Sequence, residues 1–520
     1  MAQCSKVSCA ALHGVDAFEV RLEADFNRSG LPAFNMVGLA EGAVREAGSR
    51  VFTALRHCAC PLPPGKITVN LAPADWRKAG AGYDLPLALA LLCAAGILPQ
   101  DALNGYYCAG ELSLTGEVRP IPGVLPVALL AAERKTRGLI IPADNVREAA
   151  VVSGLEVYGV RSLSEAIAFL KGELALEQAA KEDYKDLAAR LSDFGQDFAE
   201  VKGQEHAKRA IEIAAAGGHN ILFMGPPGSG KTMLAQRIPG VLPPLDFEEA
   251  LEVTKIYSVA GQLAPGVSLI ARRPFRSPHH TTSYAGMVGG TASPKPGEIS
   301  LAHRGVLFLD ELPEFNKTTL EALRQPLEDG RITIARAAIS VTYPGKIMLV
   351  AAMNPCPCGY LGDPKHVCSC PPATVQRYRA RLSGPLLDRF DLHVEVPAVP
   401  YADLRSKEAG ATSQSIRRNV LRAREVQNRR YADTDCRCNA ELNGGLLERH
   451  CCLDKVEQDF LGEAMNKLAL SARSYTRILR LSRSIADLDD KKDIGLEHLA
   501  EAVNCRVLDR EQAWHNGEYQ

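Results

Sequence analysis

A glycine-rich octapeptide at residues 225–232 has the clearest chemical signature in this chain of 520 residues. It reads GPPGSGKT, follows the apolar run 220–224 and precedes a predicted helix. In such a turn backbone N–H groups point inward around phosphate oxygens, Lys231 neutralises the β and γ charges, and Thr232 offers its hydroxyl to Mg²⁺. We therefore predict a nucleoside triphosphate site with bound Mg²⁺, formed by Gly225, Pro226, Pro227, Gly228, Ser229, Gly230, Lys231, Thr232 and Met233.

Acidic and amide side chains end two further apolar runs of the strand type. Asp310 and Glu311 follow residues 306–309, and Asn354 ends the run 347–354. Phosphoryl transfer needs charge neutralisation and an aligned nucleophile, so we expect Asp310 to hold the Mg²⁺ and Glu311 to polarise the attacking water. Asn354 could orient that water from a neighbouring strand end, and the alternative is a turn-forming Asn before Pro355.

Four cysteines lie close together in a loop rich in glycine and proline, at Cys356, Cys358, Cys368 and Cys370. Four thiolates on an irregular loop suit a tetrahedral structural Zn²⁺. The C-x-C spacing is less common than C-x-x-C, so an iron–sulfur centre and unmetallated or redox-active thiols stay open, and His366 is a substitute ligand. A looser set is interpreted as packed or exposed thiols, with a second metal site as the alternative: Cys436, Cys438, Cys451 and Cys452.

The distribution of apolar runs divides the chain into three domains and a linker. Residues 1–170 alternate strand-like and Ala/Leu-rich helical runs, which predicts an α/β domain in which the run 85–98 is a buried helix. Residues 171–200 are acidic and are interpreted as a helical linker. Residues 201–400 show the pattern of a mostly parallel sheet, and residues 401–520 carry amphipathic helices only.

Composition narrows the classes of function. Sixty Lys and Arg stand against 61 Asp and Glu, which excludes a broadly polybasic nucleic-acid-binding protein but not a local basic surface. The best apolar run is too short to span a bilayer, and the first residues lack a signal-peptide pattern, so we expect a cytoplasmic location without a membrane partner. There, fifteen cysteines are expected to be free thiols or metal ligands.

Several motifs together resemble a known family. GPPGSGKT, RPFRSPHHT at residues 273–281, LFLDELPEF at 307–315 and LLDRFDL at 386–392 are similar to those of AAA+ ATPases of the magnesium-chelatase-like group, and in particular of the YifB/ComM subfamily. The resemblance covers essentially the full chain. It implies an AAA+ P-loop NTPase core with a helical lid, ATP and Mg²⁺ as cofactors, and a homo-oligomeric ring, usually a hexamer.

The same resemblance assigns roles to single residues. Asn354 matches the sensor-1 position, and Arg389 matches the arginine finger that acts on the ATP of the neighbouring subunit. At the start of a predicted lid helix, Arg473 is the first choice for the sensor-2 phosphate contact and Arg477 the second. The alternatives are local pairing of Arg389 with Asp388 or Asp391 and a solvated basic helix face for the other two.

Two segments are candidates for substrate contact. The family places an insertion that projects into the ring channel at residues 272–290, so Arg276, His279 and His280 are interpreted as substrate or inter-subunit contacts. The adjacent histidines also suggest a metal site, but no matching third ligand is nearby. A second candidate is an arginine-rich helix, for which a solvated or interface face is the alternative: Arg417, Arg418, Arg422, Arg424, Arg429 and Arg430.

Residues 1–170 resemble the Lon-protease-like domain that this subfamily carries ahead of its ATPase. Where a Ser/Lys protease needs a nucleophilic hydroxyl and a lysine to deprotonate it, this chain reads Tyr83, Asp84, Leu85, Pro86 and, after Gly123, the sequence VLPVA. We predict the fold without peptidase activity, with substrate binding or ring organisation as its remaining role.

For the whole chain the resemblance implies a ring-shaped, ATP-driven motor acting on single-stranded or branched DNA, with branch migration or helicase activity in recombination and natural transformation. The rival is a chelatase-like or protein-remodelling ATPase that drives a protein partner. The cysteine loop and the N-terminal domain argue against a simple chelatase subunit, and the complete set of catalytic residues argues against an adaptor with residual ATPase activity.

Overall fold

The computed structural model describes residues 3–29, 31–180, 182–190, 195–290, 295–336, 339–400, 410–468 and 470–506. The described chain is mixed α/β, with a seven-stranded sheet, then a five-stranded parallel sheet, and only helices from residue 410 onward. The predicted fold class, α/β with a parallel sheet and an all-helical C-terminal region, is confirmed. None of the described helices is both long and apolar enough to cross a bilayer.

The N-terminal sheet has the strand order β3-β4-β2-β1-β5-β8-β9. Its first two strands form a long antiparallel hairpin, and alternate residues such as Val20 and Leu22 are buried on one face. A two-stranded ribbon of β6 and β7 lies beside it. The strands are β1 Gln3–His13, β2 Asp16–Asn27, β3 Ala33–Val37, β4 Lys66–Ala72, β5 Tyr106–Cys108, β6 Glu111–Leu112, β7 Val118–Arg119, β8 Gly138–Pro142 and β9 Glu156–Val160.

Five helices cover this sheet: α1 Gly42–His57, α2 Asp84–Ala94, α3 Val124–Glu133, α4 Val146–Ala149 and α5 Leu163–Leu170. All eleven residues of α2 are buried, which confirms the buried helix predicted from its apolar run. Its first residue, Asp84, is therefore a carboxylate inside the domain. Arg50 of α1 donates to both oxygens of Asp84 at 2.8 Å, so the charge is paired bidentately.

The predicted helical linker is helical over only part of its length. Among its described residues, α6 covers Tyr184–Arg190 and a 3₁₀ turn covers Phe198–Glu200. The phenol of Tyr184 donates to the carbonyl of Leu245 at 2.6 Å, and Phe198 is fully buried. These contacts anchor the segment to the second domain.

The second domain is built on a parallel sheet of order β11-β12-β15-β10-β16, and an antiparallel hairpin of β13 and β14 is attached to it. The strands are β10 Ile221–Met224, β11 Phe275–Arg276, β12 Val306–Leu309, β13 Arg331–Arg336, β14 Ile339–Pro344, β15 Met348–Met353 and β16 Leu392–Glu395. Nine helices accompany them: α7 Glu205–Gly217, α8 Lys231–Val241, α9 Phe247–Ala260, α10 Tyr284–Val288, α11 Glu298–Leu301, α12 Lys317–Glu321, α13 Arg324–Asp329, α14 Pro372–Arg379 and α15 Gly384–Leu387.

The helices of the lid are α16 Ser413–Arg430, α17 Gly444–His450, α18 Lys455–Lys467, α19 Ala472–Leu488 and α20 Leu496–Asn504. Their apolar faces do not form a separate core. Val420 and Ile485 of the lid belong to the same buried cluster as Ile213 and Ile221 of the second domain. The lid therefore packs directly on the parallel-sheet domain.

The N-terminal domain contacts the second domain through α9. Ser258 donates its hydroxyl to Glu148 at 2.7 Å, and its carbonyl accepts from the N–H of Gly123 at 2.9 Å. Lys255 of the same helix pairs with Asp16 at 2.5 Å. These contacts fix the first domain to the helix that follows the phosphate-loop helix α8.

Replacing Arg50 with Ala is expected to destabilise the N-terminal domain by about 3–5 kcal/mol, because Asp84 would remain buried without its counter-ion. Burial already raises the pKa of Asp84, with Arg50 opposing the shift. The deficit should therefore shrink as the pH falls, since a protonated carboxyl is not an unpaired charge.

The measurement is urea unfolding monitored by hydrogen exchange of peptides from residues 42–94. Arg77→Ala is the control, because Arg77 and its partner Glu41 are both exposed and their pair is worth about 0–1 kcal/mol. Equal losses in the two variants would contradict the importance of the buried pair.

Candidate nucleotide site

The phosphate loop lies between β10 and α8, as its sequence predicts. Gly228 and Gly230 have φ angles of 75° and 92°, in the region that favours glycine. The turn brings the first residues of α8 to the carboxyl end of β10. Backbone N–H groups in the first turn of a helix have no partners within the helix, so this end of α8 suits phosphate oxygens.

Lys231 lies inside the loop and is 8% exposed. Its ammonium donates to the carbonyls of Gly225 at 2.7 Å and Pro226 at 2.8 Å, and it lies 3.3 Å from Oδ1 of Asn354. Burial lowers the pKa of Lys231, and the charge of Asp310 opposes this shift. The geometry holds a single cation at the centre of the loop, next to the predicted sensor.

Thr232 and Asp310 contact each other across the mouth of the loop. The Thr232 hydroxyl donates to Oδ2 of Asp310 at 2.8 Å, and Oδ1 of Asp310 accepts from the N–H of Glu311 at 2.9 Å. A hydroxyl and a carboxylate are the oxygen ligands that Mg²⁺ takes beside a triphosphate. The two residues predicted to hold Mg²⁺ are therefore adjacent.

Sheet order explains why these side chains meet. β12, β15 and β10 are neighbours and run parallel, so their carboxyl ends lie at one edge. Asp310 follows β12, Asn354 follows β15, and the phosphate loop follows β10. Segments far apart in sequence thus supply one site.

Glu311 has a φ of 52°, a left-handed conformation that costs energy for a residue with a Cβ. Its carboxylate lies 3.4 Å from Nδ1 of His280, whose ring contacts that of His279 in a tilted arrangement with centroids 4.1 Å apart. Sequence reasoning placed His280 at a substrate or subunit contact and missed this position beside the predicted water-polarising acid. No sequence pattern near His280 indicates it.

The other two residues predicted to contact substrate have partners within the chain. Arg276 donates from Nε and Nη2 to the two oxygens of Glu298, both at 2.7 Å. His279 shares a 2.9 Å hydrogen bond with Thr281. The three residues are thus not presented together on one free surface.

The predicted arginines lie at the opposite edge of the parallel sheet. Asp391 directly precedes β16, and its N–H donates to the carbonyl of Asn220, the residue before β10. Arg477 pairs with Asp391 at 2.7 Å, and Arg473 pairs with Asp388 at 3.1 Å. A strand of four residues spans about 13 Å, so this group is separated by that length from the phosphate loop of its own chain.

Arg389 lies in the same group and is 11% exposed at its side chain. It pairs with Glu328 of α13, and the local pairing with Asp388 or Asp391 considered from sequence is absent among the described contacts. Its Nε is buried with no hydrogen-bond partner in the described part of the chain. Burial lowers the pKa of Arg389, and the charges of Arg477 and Arg473 add to this shift.

A cavity of about 1160 Å³ opens beside this edge, between the sheet and the lid. Its lining combines seven arginines and Lys346 with seven acidic residues. The arginines are Arg273, Arg304, Arg389, Arg424, Arg437, Arg477 and Arg480, and the acidic residues are Asp246, Glu249, Glu328, Asp329, Asp391, Glu425 and Glu441. Because charges of the two signs are nearly equal in number, the lining as a whole does not favour an anion over a cation.

The four loop cysteines converge as predicted. Their sulfur atoms lie within 4.8 Å of one another, with Cys356 at 3.3 Å from Cys358 and 3.6 Å from Cys368. Four thiolates about 2.3 Å from a central Zn²⁺ would be about 3.8 Å apart, so the spacing fits a tetrahedral ion. A hydrogen bond from the N–H of Tyr360 lowers the pKa of Cys358 to about 6. His366 is not in the group; its ring pairs with Asp363 at 3.4 Å.

The looser cysteine set does not assemble, since the loop group is the one metal-type cluster among the described residues. Cys436 and Cys451 are buried and contact backbone carbonyls, Cys438 is also buried, and Cys452 is exposed. This agrees with packed or exposed thiols.

The arginine-rich helix α16 uses much of its charge internally. Arg430 pairs with the buried Asp487, Arg424 donates to the carbonyl of Ala215 and Arg422 to that of Leu488. Arg429 donates to the carbonyl of Glu425 on its own helix, and Arg417 and Arg418 have no side-chain partner among the contacts of the described residues. Fewer arginines of α16 are therefore available to contact a substrate than the sequence indicates.

The positions compared with a Ser/Lys protease lie in the core of the N-terminal domain. Tyr83 and Asp84 are buried at the start of α2, and residues 124–128 are buried in α3. The resemblance to a Lon-protease-like domain, and the lack of peptidase activity, stay predictions.

Three family models match the chain. A model described as magnesium chelatase, subunit ChlI, matches residues 197–404, and its C-terminal counterpart matches residues 410–506. A third, described as subunit ChlI of Mg-chelatase, matches residues 22–145. All three parts of the chain are thus similar to one group of proteins.

Individual relatives extend this likeness. The chain is 46% identical over 499 residues to competence protein ComM of Haemophilus influenzae, covering 96% of each chain. It is 44% identical over 509 residues to the protein YifB of Escherichia coli, covering 97% of each. It is 25% identical over 367 residues to DNA replication licensing factor mcm7 of Xenopus tropicalis, which covers 65% of this chain and 45% of that protein.

Replacing Glu311 with Gln is expected to lower ATP turnover by about 10²–10⁴-fold, because an amide cannot accept a proton from the attacking water. Nucleotide affinity should stay within about threefold, since Lys231 and Thr232 are unchanged. Steady-state turnover and binding of a fluorescent ATP analogue measure the two effects.

Glu314→Gln is the matched control. Glu314 follows on the same segment but pairs with Arg381 at the surface, so its loss should leave turnover near that of the unaltered chain. Similar turnover in the Glu311→Gln variant would assign the role to another group.

Proposed function

Because this chain belongs to the ComM and YifB family of magnesium-chelatase-like AAA+ proteins, we propose that it is an ATP-hydrolysing ring motor that acts on DNA. The observation that most supports this proposal is that four side chains converge at one edge of the parallel sheet: Lys231, Thr232, Asp310 and Asn354.

The donor set at this edge fits ATP with Mg²⁺. Lys231 neutralises charge on the β and γ phosphates, and Thr232 with Asp310 holds the ion. Bound Mg²⁺ supplies further charge neutralisation for phosphoryl transfer. Glu311 polarises the water, and Asn354, 3.3 Å from the lysine ammonium, orients it against the γ-phosphate.

The second half of the catalytic set comes from a neighbouring subunit. Arg389, Arg473 and Arg477 lie at the edge of the sheet opposite their own phosphate loop, beside the cavity between the sheet and the lid. In a homo-oligomeric ring this edge faces the ATP of the next subunit. The cation offsets charge that develops on the γ-phosphate, and hydrolysis then depends on assembly. A hexamer is the ring size that the family resemblance favours.

Arg389→Ala is expected to lower ATP turnover by about 10³-fold or more, and Lys231→Ala to abolish it. Mixing the two inactive variants should restore measurable turnover, because some interfaces then join an intact phosphate loop to an intact arginine. Arg449→Ala, which removes an exposed arginine of the lid to which no role is assigned, is the control and should be fully active.

Recovery as the mixing ratio changes is followed by phosphate release, with ring formation checked by light scattering. A mixture that forms rings but stays inactive would place Arg389 outside the neighbour's site.

DNA is supported chiefly by the names of two relatives, a competence protein and a DNA replication licensing factor. The chain as a whole has a formal net charge of −1, but a ring that encloses its substrate needs basic groups only along the channel. Branch migration or helicase activity on single-stranded or branched DNA, in recombination and natural transformation, is the finer form of the proposal.

A protein-remodelling motor is the alternative, and one observation favours it. Apolar side chains on and beside the edge strand β3 are exposed, with Leu31 at 88%, Val37 at 52% and Leu39 at 54%. Such groups on a surface often bind protein partners.

We expect single-stranded or branched DNA to stimulate ATP turnover several-fold, and DNA affinity to fall steeply as salt rises, because phosphate contacts release counterions. Fluorescence anisotropy of labelled DNA between about 50 and 200 mM salt measures the second effect. Lys231→Ala should bind DNA without turnover.

Neither binding nor stimulation at the lowest salt would remove DNA as the substrate. Turnover without a DNA response would favour the protein-remodelling alternative.

We also propose Zn²⁺ as the ion of the cysteine loop. All four donors are sulfur, the spacing is tetrahedral, and thiolate sets of this kind select zinc over harder cations. The ion would be structural, because the four cysteines complete its coordination without an open position.

A further inference from the structure

We propose that the cysteine loop, residues 356–370, is a metal-dependent brace for the phosphate loop, so that the bound metal sets the affinity for ATP. The inference rests on the nucleotide site and the zinc ion proposed above. It goes further because it assigns to the metal, which is not part of the nucleotide site, an effect on the affinity for ATP.

The cysteine loop begins immediately beside the catalytic edge. Asn354, near the ammonium of Lys231, is followed by Pro355 and by Cys356, which is fully buried. The first sulfur ligand is thus two residues from the predicted sensor. A shift of the loop at Cys356 would move Asn354 with it.

The loop also packs against the phosphate loop itself. A Cβ added to Gly359 would lie 2.5 Å from Cδ of Pro227, so the backbone of Gly359 packs directly against the proline ring. Gly359 has a φ of 85°, and its N–H donates to the carbonyl of Cys356 at 3.0 Å. Pro227 lies between Gly225 and Gly228, in the turn that must surround the phosphates.

The C-terminal end of the cysteine loop contacts the residues at which the loop begins. The loop leads into α14, where Arg379 donates to the carbonyl of Pro355 at 3.3 Å. Tyr378 of the same helix is buried in the core cluster that also contains Met353, the residue before Asn354. Both ends of the loop therefore meet beside β15, and Gly359, three residues after Cys356, packs against Pro227.

Besides the sulfur cluster, the contacts that shape the middle of the loop are local: the N–H groups of Lys365 and His366 donate to Asp363, and the His366 ring contacts that of Tyr360. The fully described stretch 354–371 contains no helix or strand, and its tip carries Val367 at 96% exposed and Leu361 at 38%. A loop without an apolar core cannot offset the entropy of ordering its backbone, whereas metal binding supplies folding free energy directly. Without the ion, Gly359 would not be held against Pro227.

The test compares three variants of the full chain with the unaltered protein. Cys368→Ser removes a sulfur on the outer side of the loop, Gly359→Ala keeps all four sulfurs but disturbs the contact with Pro227, and Cys452→Ser removes a remote exposed thiol as control. Three quantities are measured: zinc per chain by elemental analysis, the Kd of a fluorescent ATP analogue, and hydrogen exchange of residues 225–232.

We expect one zinc per chain in the unaltered protein and in the Gly359→Ala and Cys452→Ser variants, and little in Cys368→Ser. The Kd for the nucleotide should rise about tenfold or more in Cys368→Ser and in Gly359→Ala, with faster exchange in residues 225–232. Cys452→Ser should match the unaltered protein. Exchange elsewhere in the chain, unchanged in all variants, excludes general unfolding.

The outcomes separate the proposals. If the unaltered protein holds no zinc, or if Cys368→Ser loses zinc while keeping its nucleotide affinity, the brace is overturned and the nucleotide site stands. If Gly359→Ala retains both zinc and affinity, the contact with Pro227 is not the connection and the brace is again overturned. An unaltered protein that binds no nucleotide overturns the proposed function, and the brace with it.

Discussion

Parallel pairing of three strands determines where the chemistry of this protein is placed. β12, β15 and β10 run side by side in one direction, so whatever follows each strand emerges at the same edge. Thr232 and Asp310 meet there at 2.8 Å, and Lys231 meets Asn354 at 3.3 Å. These contacts require the sheet to hold its register to within a fraction of a residue, because one step along a strand moves a side chain about 3.3 Å and reverses its face.

The same pairing fixes the predicted arginines at the opposite edge of the sheet. Asn220, at the start of β10, donates its side-chain amide to the carbonyl of Arg389 at 2.9 Å and accepts from the N–H of Leu349 at 2.7 Å. The arginine group is thereby fixed to the amino ends of the strands that carry the phosphate loop and the sensor at their carboxyl ends. Under the proposed function each edge carries half of the catalytic set, an arrangement that a closed ring can complete.

Much of the first edge is predictable from sequence because local patterns determine it. An apolar run followed by glycines and Lys231, or by Asp310, identifies a strand and the residue at its end. Parallel pairing of these strands then brings the residues at their ends together. The positions of His280 and Glu328 could not be found this way. Each depends on the path of a long connection across the sheet, and a connection of irregular backbone leaves no periodic signal. For Arg276 the sequence predicts a substrate or inter-subunit contact, but its guanidinium forms a bidentate pair with Glu298 of the same chain.

Burial and neighbouring charges together set the pKa of the carboxyl group at the edge of the sheet that carries the arginines. Although burial raises the pKa of Asp391, the His219 ring, whose Nδ1 lies 3.5 Å from the carboxylate, and the charge of Arg477 hold that pKa well below its ordinary value. His219 is itself buried and shares a 2.7 Å hydrogen bond with Ser484 of the lid helix α19. The carboxylate that positions Arg477 is therefore tied to both the sheet and the lid. A change in orientation of the lid would displace the arginine relative to β10, and four residues of buried strand join that point to the phosphate loop. The lid thus lies on the structural connection between the phosphate loop and the predicted arginines, and its apolar face is part of the core of the second domain.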